Sequence, residues 1–326
     1  MKKTLQILLP LALGIGILWW YISGFTADQW KSVKKALHQA DYTLVIISLF
    51  LGLLSHLIRA WRWKYLLIPI TGKTPRNINL VLAVGISYLI NLGIPRSGEV
   101  ARAGTLAKYE QLPFNKVMGT VIAERVADMI MLGLFVLLGF FLEMKKLSTF
   151  LKPYFSEQWI LGGGFLLLTG LAGIISVFKA RQSNKQFVRK TADFLHGILQ
   201  GAMNIFHMKH KSIFLLETLL IWGLYLMMLQ VVLLAFPETL KLSFGAIIFT
   251  FVAGSLSIVV SNGGIGTYPV FVTSALSLFG VPRSTGFAFS TVMWTSQTLL
   301  LIIMGIISLI LLPVVNRKPS PAEANT

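Results

Sequence analysis

The amino-acid sequence predicts an all-α polytopic membrane protein with about six full transmembrane helices and two inverted re-entrant helical hairpins. Three observations carry this expectation. Only 13% of the 326 residues are charged while 55% are apolar, with a mean hydropathy of +0.74, whereas a soluble domain usually carries about a quarter charged residues. Six apolar runs approach or exceed the roughly 20 residues that a helix needs to cross a bilayer. Two further apolar stretches break at Gly- and Pro-containing motifs, which leaves arms too short to cross. The chain has no cysteine, so disulfides, thiolate catalysis and Cys-ligated metals are excluded.

The runs fall in order along the chain. Residues 5–22 follow Lys2 and Lys3; a signal peptide is the other reading of such a run, but no small-x-small cleavage site follows, so it reads as a retained first span. Residues 42–58 form the second span and end in RAWRWKYLL, which places Arg59, Arg62 and Trp63 at the headgroup interface. The first hairpin, 78–110, is uncharged to residue 94, breaks at NLGIPRSGE (91–99) and continues as a polar-faced arm. Spans 117–142 and 159–178 follow, then a basic connector, 179–211, on the cytoplasmic side. After span 212–236 comes the second hairpin, 242–282, interrupted by SNGGIGTYP (261–269). Span 284–315 and a polar tail, 317–326, complete the chain, and residues 1–316 read as one domain. Breaks at membrane depth are tolerated where the backbone lines a cavity or is covered by protein; two kinked ordinary spans are the alternative.

Basic residues set the orientation. With the N-terminus inside, eighteen lysines and arginines fall in inner segments and eight in outer ones, leaving Arg96, Arg102 and Arg125 at or near membrane depth. This bias puts both termini in the cytoplasm. It also explains most of the net charge of +17 without nucleic acid. The first hairpin then opens from the cytoplasm and the second from outside. Interrupted segments in matching positions of two halves point to a transporter's binding site near the midplane.

Charged groups inside spans are expensive unless paired and commonly mark transport pathways. In PRSGEVAR, Arg96, Glu99 and Arg102 recur at steps of three on one helical face. They lie close to a half-helix N-terminus whose free amides favour an anion, and arginine offers a planar fork suited to phosphate or carboxylate. Internal neutralisation of Glu99 by one of its arginines is the competing reading. In ERVAD, Glu124 and Asp128 share a face with Arg125 beside them; they either carry a coupling proton or neutralise Arg96 or Arg102 across a cavity. Gly72-Lys73-Thr74 lacks the preceding glycine of a phosphate-binding loop. No catalytic constellation, metal site or cofactor motif can be assembled, so the sequence argues against an enzyme.

Four motifs, RAWRW (59–63), NLGIPRSGEVAR (91–102), ERVAD (124–128) and SNGGIGTYP (261–269), occur in an order and spacing that resembles the flippase-like transmembrane family typified by the membrane half of lysylphosphatidylglycerol synthase. The resemblance covers roughly residues 42–313. It implies a bacterial or archaeal inner-membrane protein that moves polar lipids between leaflets. Bifunctional members continue into a soluble aminoacyl-transferase domain, whereas this chain looks like the flippase-like part alone. Many members also carry a glutamate shortly after the GGIG-type motif, where this sequence has Pro269.

The resulting expectation is a flippase for an anionic lipid or lipid-linked headgroup. Its substrate site would comprise Arg96, Glu99, Arg102, Glu124, Arg125, Asp128, Asn91, Asn262, Gly263, Gly264, Gly266 and Tyr268, with Gly98 shaping the first break. The expected partners are membrane lipids, with self-association left open and no nucleic acid. A non-transporting lipid-binding scaffold for a separate synthase and a secondary transporter of a small anion are the rivals.

Overall fold

The computed structural model describes residues 2–94, 97–151 and 208–317. Among the described residues the chain is helical throughout, with no strand. It is an all-α polytopic membrane protein.

Helix α1 (Lys2–Ser23) is followed, after a turn of 109°, by α2 (Ala27–Gln39). The turn is fixed by a capping box: the Gln29 amide donates to the Thr26 hydroxyl, and the Thr26 amide donates to the Gln29 side chain, so two orphan amides are satisfied at once. Helix α2 was not anticipated in the outer segment between the first two spans. It is amphipathic, burying Val33 and Ala36 and exposing Lys31, Lys34 and Lys35.

Helix α3 (Tyr42–Thr71) starts on an Asp41 cap and stops at Gly72, whose φ of +69° suits the left-handed end of a helix. It overruns the expected 42–58 span because its basic-aromatic cluster continues the helix into the bundle. There follow α4 (Asn77–Gly93), α5 (Ser97–Glu110), α6 (Phe114–Leu142), α7 (Met144–Leu151), α8 (Lys211–Leu234), α9 (Phe244–Val260), α10 (Thr267–Leu278) and α11 (Arg283–Val315). Of these, α3, α6, α8 and α11 are long and apolar enough to cross a membrane, and the bent α1–α2 pair makes a fifth candidate. The expected span 159–178, most of the connector 179–211 and most of the tail lie outside the described residues.

The arms of the broken stretches are short. Helices α4 and α9 have 17 residues each, and α10 has 12, about 25 and 18 Å at 1.5 Å per residue, against roughly 30 Å of hydrocarbon. Helix α4 packs on α5, and α9 on α10. The ends of the two pairs lie at opposite rims of the bundle. At one rim Asn79 Nδ2 donates to Glu110 Oε1 at 2.7 Å and exchanges bonds with Asn316 at 3.0 and 2.8 Å, which joins the start of α4 to the ends of α5 and α11. At the other rim the Ser243 hydroxyl donates to Glu143 at 2.8 Å, and Lys146 lies over the Phe279 ring at 4.5 Å. The start of the α9–α10 pair therefore meets the far end of α6, and its end meets the start of α7.

Among the described residues two large apolar cores and a small cluster of Leu82, Ile86 and Leu312 fill the bundle. One is built from Trp63, Leu67, Leu80, Leu106, Val117, Val121 and Phe214, and the other from Ile221, Leu229, Val232, Phe236, Leu276 and Phe289. On α6, Val117 and Val121 belong to the first core, while Met131, Leu132 and Phe135 pack on the second. The segment between them carries Glu124, Arg125 and Asp128. The charges thus sit where the two cores meet.

Candidate functional site

Charge placement begins with spacing. Arg59 and Arg62 are three apart on α3, Glu124 and Asp128 are four apart on α6, and each pair shares a helical face. The two faces meet. Arg59 Nη2 lies 2.7 Å from Asp128 Oδ2; Arg62 Nη2 lies 3.1 Å from Asp128 Oδ1 and 3.3 Å from Glu124 Oε1. Arg62 Nη1 also donates to the Thr218 hydroxyl of α8 at 2.9 Å. From α5, Arg102 grips Glu124 with both prongs, at 3.2 and 2.7 Å. Its guanidinium lies 3.8 Å over the Trp63 ring, and Trp63 Nε1 donates to Thr120 Oγ1 at 2.8 Å. Each ion in this inner group has at least one charged, hydrogen-bonded partner, as a buried charge requires, although three guanidiniums share two carboxylates and their Nε atoms are buried without a partner.

The outer edge of the group is different. Arg125 Nε lies 2.9 Å from Glu99 Oε1, and Arg125 Nη1 lies 3.6 Å from Asp128 Oδ2. The side chains of Arg125 and Glu99 are 38% and 28% exposed, against 0–2% for Arg62, Glu124 and Arg102. Four guanidiniums share three carboxylates here, so the described cluster carries one excess positive charge.

This geometry corrects one expectation and narrows another. Arg59, Arg62 and Trp63 do not lie at a headgroup interface: they are 7%, 0% and 0% exposed, because the carboxylates of α6 supply partners that make their burial affordable. Removing the two arginines from the inner count still leaves basic residues two to one in favour of the inner side. Among the described residues Glu99 pairs with Arg125 of α6, and Arg102 is drawn away from it by Glu124. The neutralisation of Arg102 by Glu124 agrees with the sequence reading. Arg96 lies outside the described residues.

The breaks are closed by specific polar contacts. Asn91 Oδ1 accepts from the Gly98 amide at 2.8 Å, and a Cβ on Gly98 would lie 2.0 Å from the Ser87 carbonyl; the α4–α5 turn is shut by a side chain and a close backbone approach. Glu99 follows directly on this point. In the second break, Asn262 Nδ2 donates across to the Leu92 carbonyl at 3.0 Å, and Trp294 Nε1 of α11 donates to the Gly263 carbonyl at 2.9 Å. The two breaks therefore touch one another. Gly263, Gly264 and Gly266 all have positive φ, which glycine adopts without strain. Helix α1 lies against this turn, with Gly14 O 1.9 Å from where a Gly266 Cβ would stand. Tyr268 is buried against Gly254, so its ring serves packing within the α9–α10 pair. Among the described residues no group of three His, Asp or Glu side chains could hold a metal ion.

Sequence reasoning missed Thr218, Thr120, Trp294 and the core role of Arg59 and Arg62. The matched spacings on α3 and α6 could have revealed the arginines; nothing in the sequence marks the other three. Against known proteins, the profile described as the lysylphosphatidylglycerol synthase TM region matches residues 7–306. The chain belongs to this family. All four motifs, the ion cluster and both breaks fall inside the matched region. Among relatives, a UPF0104 membrane protein of Methanocaldococcus jannaschii is 26% identical over 306 residues, spanning 86% of this chain and 88% of its own length. A second UPF0104 membrane protein, from Pyrococcus horikoshii, is 29% identical over 150 residues, 43% of this chain and 41% of its own. No solved structure matches the chain. Membership of the lysylphosphatidylglycerol synthase TM region family makes this a multi-pass, lipid-related membrane protein.

Proposed function

We propose that the protein is a non-enzymatic flippase that moves an anionic phospholipid, or another lipid-linked phosphate headgroup, between the leaflets of a bacterial or archaeal cytoplasmic membrane. The observation that carries this reading is the half-open Arg125–Glu99 edge of an otherwise sealed ion cluster, one residue from the break at Gly98. The headgroup is the part of a phospholipid that pays heavily for leaving water, so only it needs a polar route while the acyl chains stay in lipid. A guanidinium at the partly open edge of a cluster with one excess positive charge suits a phosphate, with Arg96 as a further ligand; Arg59, Arg62 and Arg102 hold the cluster together and do not touch the lipid. The two helix pairs act as inverted re-entrant hairpins, each closing one side, and their contact through Asn262 is the closed midpoint.

Leaflet exchange of labelled phospholipid in reconstituted vesicles tests this directly. A scaffold gives no exchange, and a small-anion transporter moves solute but not lipid. Arg125→Lys keeps the charge but loses the fork; it should lower exchange about tenfold, the value of one charge-assisted hydrogen bond, with thermal stability unchanged. Full activity in Arg125→Lys would remove Arg125 from the headgroup site.

Orientation has its own test, helped by the absence of native cysteine. Cysteines at Lys73 and Arg317, both exposed at one rim, should react with an impermeant maleimide only from the cytoplasm. Those at Lys146 and Lys241, exposed at the other rim, should react only from outside. Reversal of either pair would refute the assigned sidedness of the hairpins.

A further inference from the structure

Arg283 is a guanidinium that the cluster above does not use. It is the first residue of α11, and Phe279, just before it, sits under Lys146 at the rim assigned to the outside. Its guanidinium rests 4.0 Å over the Tyr21 ring and 4.5 Å over the Phe25 ring, and Nη2 donates to the Tyr21 carbonyl at 2.7 Å. That carbonyl belongs to the last turn of α1, so the arginine caps the helix. The cap uses one N–H of the five that a guanidinium offers. Among the described residues Arg283 forms no ion pair, unlike each arginine of the cluster.

The unused edge of the fork is reachable. Nε is buried without a partner, whereas Nη1, which makes no hydrogen bond, is not closed off. Gly24 borders it: a Cβ there would lie 3.8 Å from both Nη1 and Nη2, and Gly24 itself is exposed. The missing side chain leaves a window on the guanidinium. Neighbouring residues mark its depth. Trp19 and Trp20 are 69% and 71% exposed, as tryptophans are at a bilayer interface. Helix α1 ends there, and after the 109° turn α2 buries Val33 and Ala36 while exposing Lys34 and Lys35, the form of a helix lying at an interface. The one acid of that turn, Asp28, is taken by Lys31 at 3.1 Å. Arg283 therefore stands at headgroup depth with its charge unmatched.

We propose that Arg283 is a phosphate site of the outer leaflet, taking the phosphodiester of a lipid headgroup through the window at Gly24; its part in transport rests on the flippase reading, but the binding does not. Contact with aromatic rings holds a guanidinium in place without neutralising it, so the charge stays available, as it would not beside a carboxylate. The bond to the Tyr21 carbonyl fixes the plane of the fork, and the free N–H groups of Nη1 and Nη2 then meet phosphate oxygens with the strength of charge-assisted bonds. On the flippase reading the Arg125 edge lies at membrane depth and Arg283 at the outer surface, so a headgroup that leaves the first is received by the second.

The binding test needs no transport. A cysteine introduced at Ala27, which is exposed two residues after Phe25, carries a bimane fluorophore in a chain with no other thiol. The protein in detergent is titrated with a phospholipid bearing a nitroxide quencher on its headgroup. Quenching should saturate, and Arg283→Gln should raise the half-saturation at least about tenfold, the value of a charge-assisted bond. Arg283→Gln also removes the cap on α1, so Gly24→Asp is the decisive variant. Its carboxylate comes within reach of the fork and occupies it from within, which should raise the half-saturation by the same factor with thermal stability undiminished. Gly24→Ala should stay within about twofold of the parent. An unchanged titration in Gly24→Asp, or no saturable quenching in the parent, would overturn the proposal.

Two further arms fix the source of the phosphate and its link to transport. Quenching should persist in excess inorganic phosphate at constant ionic strength, which holds screening fixed; its loss would make this a site for a free anion and defeat the lipid assignment. In vesicles Gly24→Asp should lower phospholipid exchange at least about threefold, and unchanged exchange would take Arg283 off the route. Exchange by the natural protein with equal titrations in every variant would sink the Arg283 site and leave the flippase reading. Quenching that depends on Arg283, with no exchange, would sink the flippase reading and leave the site standing.

Discussion

Glu124→Leu is expected to cause the largest loss of stability of any single change in the cluster. Glu124 takes both prongs of Arg102 and lies 3.3 Å from Arg62 and 3.8 Å from Arg59. Its removal leaves buried guanidiniums short of negative charge, with Asp128 their one remaining inner partner. Breaking a buried ion pair from one side typically costs about 3–5 kcal/mol, and thermal unfolding of the purified protein in detergent should show a loss of that order. The double change Arg102→Met with Glu124→Leu should recover a large part of it, because Arg62 keeps Asp128 and Thr218 and Arg59 keeps Asp128. Contacting residues give a double-mutant coupling of about 0.5–3 kcal/mol. Simple additivity of the two single changes would mean that Arg102 and Glu124 do not form the matched pair seen here.

Gly266→Ala should be the most damaging small change outside the cluster. The φ of Gly266 is +73°, and an added Cβ would lie 1.9 Å from the Gly14 carbonyl oxygen. The obstacle is backbone and cannot rotate away. Left-handed strain of about 1–2 kcal/mol and overpacking of about 1–3 kcal/mol act on the same residue, so the same thermal unfolding should detect a loss of about 2–4 kcal/mol. Gly16→Ala is the control on the same helix: a Cβ there meets nothing within 4 Å, and stability should change by less than about 0.5 kcal/mol. Equal behaviour of the two variants would show that α1 is not seated on the second break.

Helix lengths were the most legible feature. The expected runs 117–142, 212–236 and 284–315 correspond to α6, α8 and α11 within a few residues at each end, because bilayer thickness dictates the length of an apolar stretch. Helix α3 was cut short at residue 58 for the opposite reason. A basic-aromatic cluster after an apolar run is the ordinary mark of an interface, and the acids that reverse that reading stand more than 60 residues away on α6. Helix α2 was legible in principle from Thr26, Gln29 and the Val33–Ala36 spacing, which together spell a capped amphipathic helix. The bond from Asn262 to Leu92 was not, since it ends on a backbone carbonyl and any residue at 92 would offer the same atom.

The seating of α1 has a consequence in time. Gly14 rests on Gly266, yet 252 residues separate them. At synthesis rates of about 5–20 residues per second, roughly 13–50 s pass between the emergence of the helix and that of its seat. For that interval α1 sits in the bilayer with its Gly14 surface turned to lipid or to whatever helix lies nearby. Its docking is therefore a late event of biogenesis although its synthesis is among the first, and a nascent chain released before residue 266 carries α1 with nowhere to go.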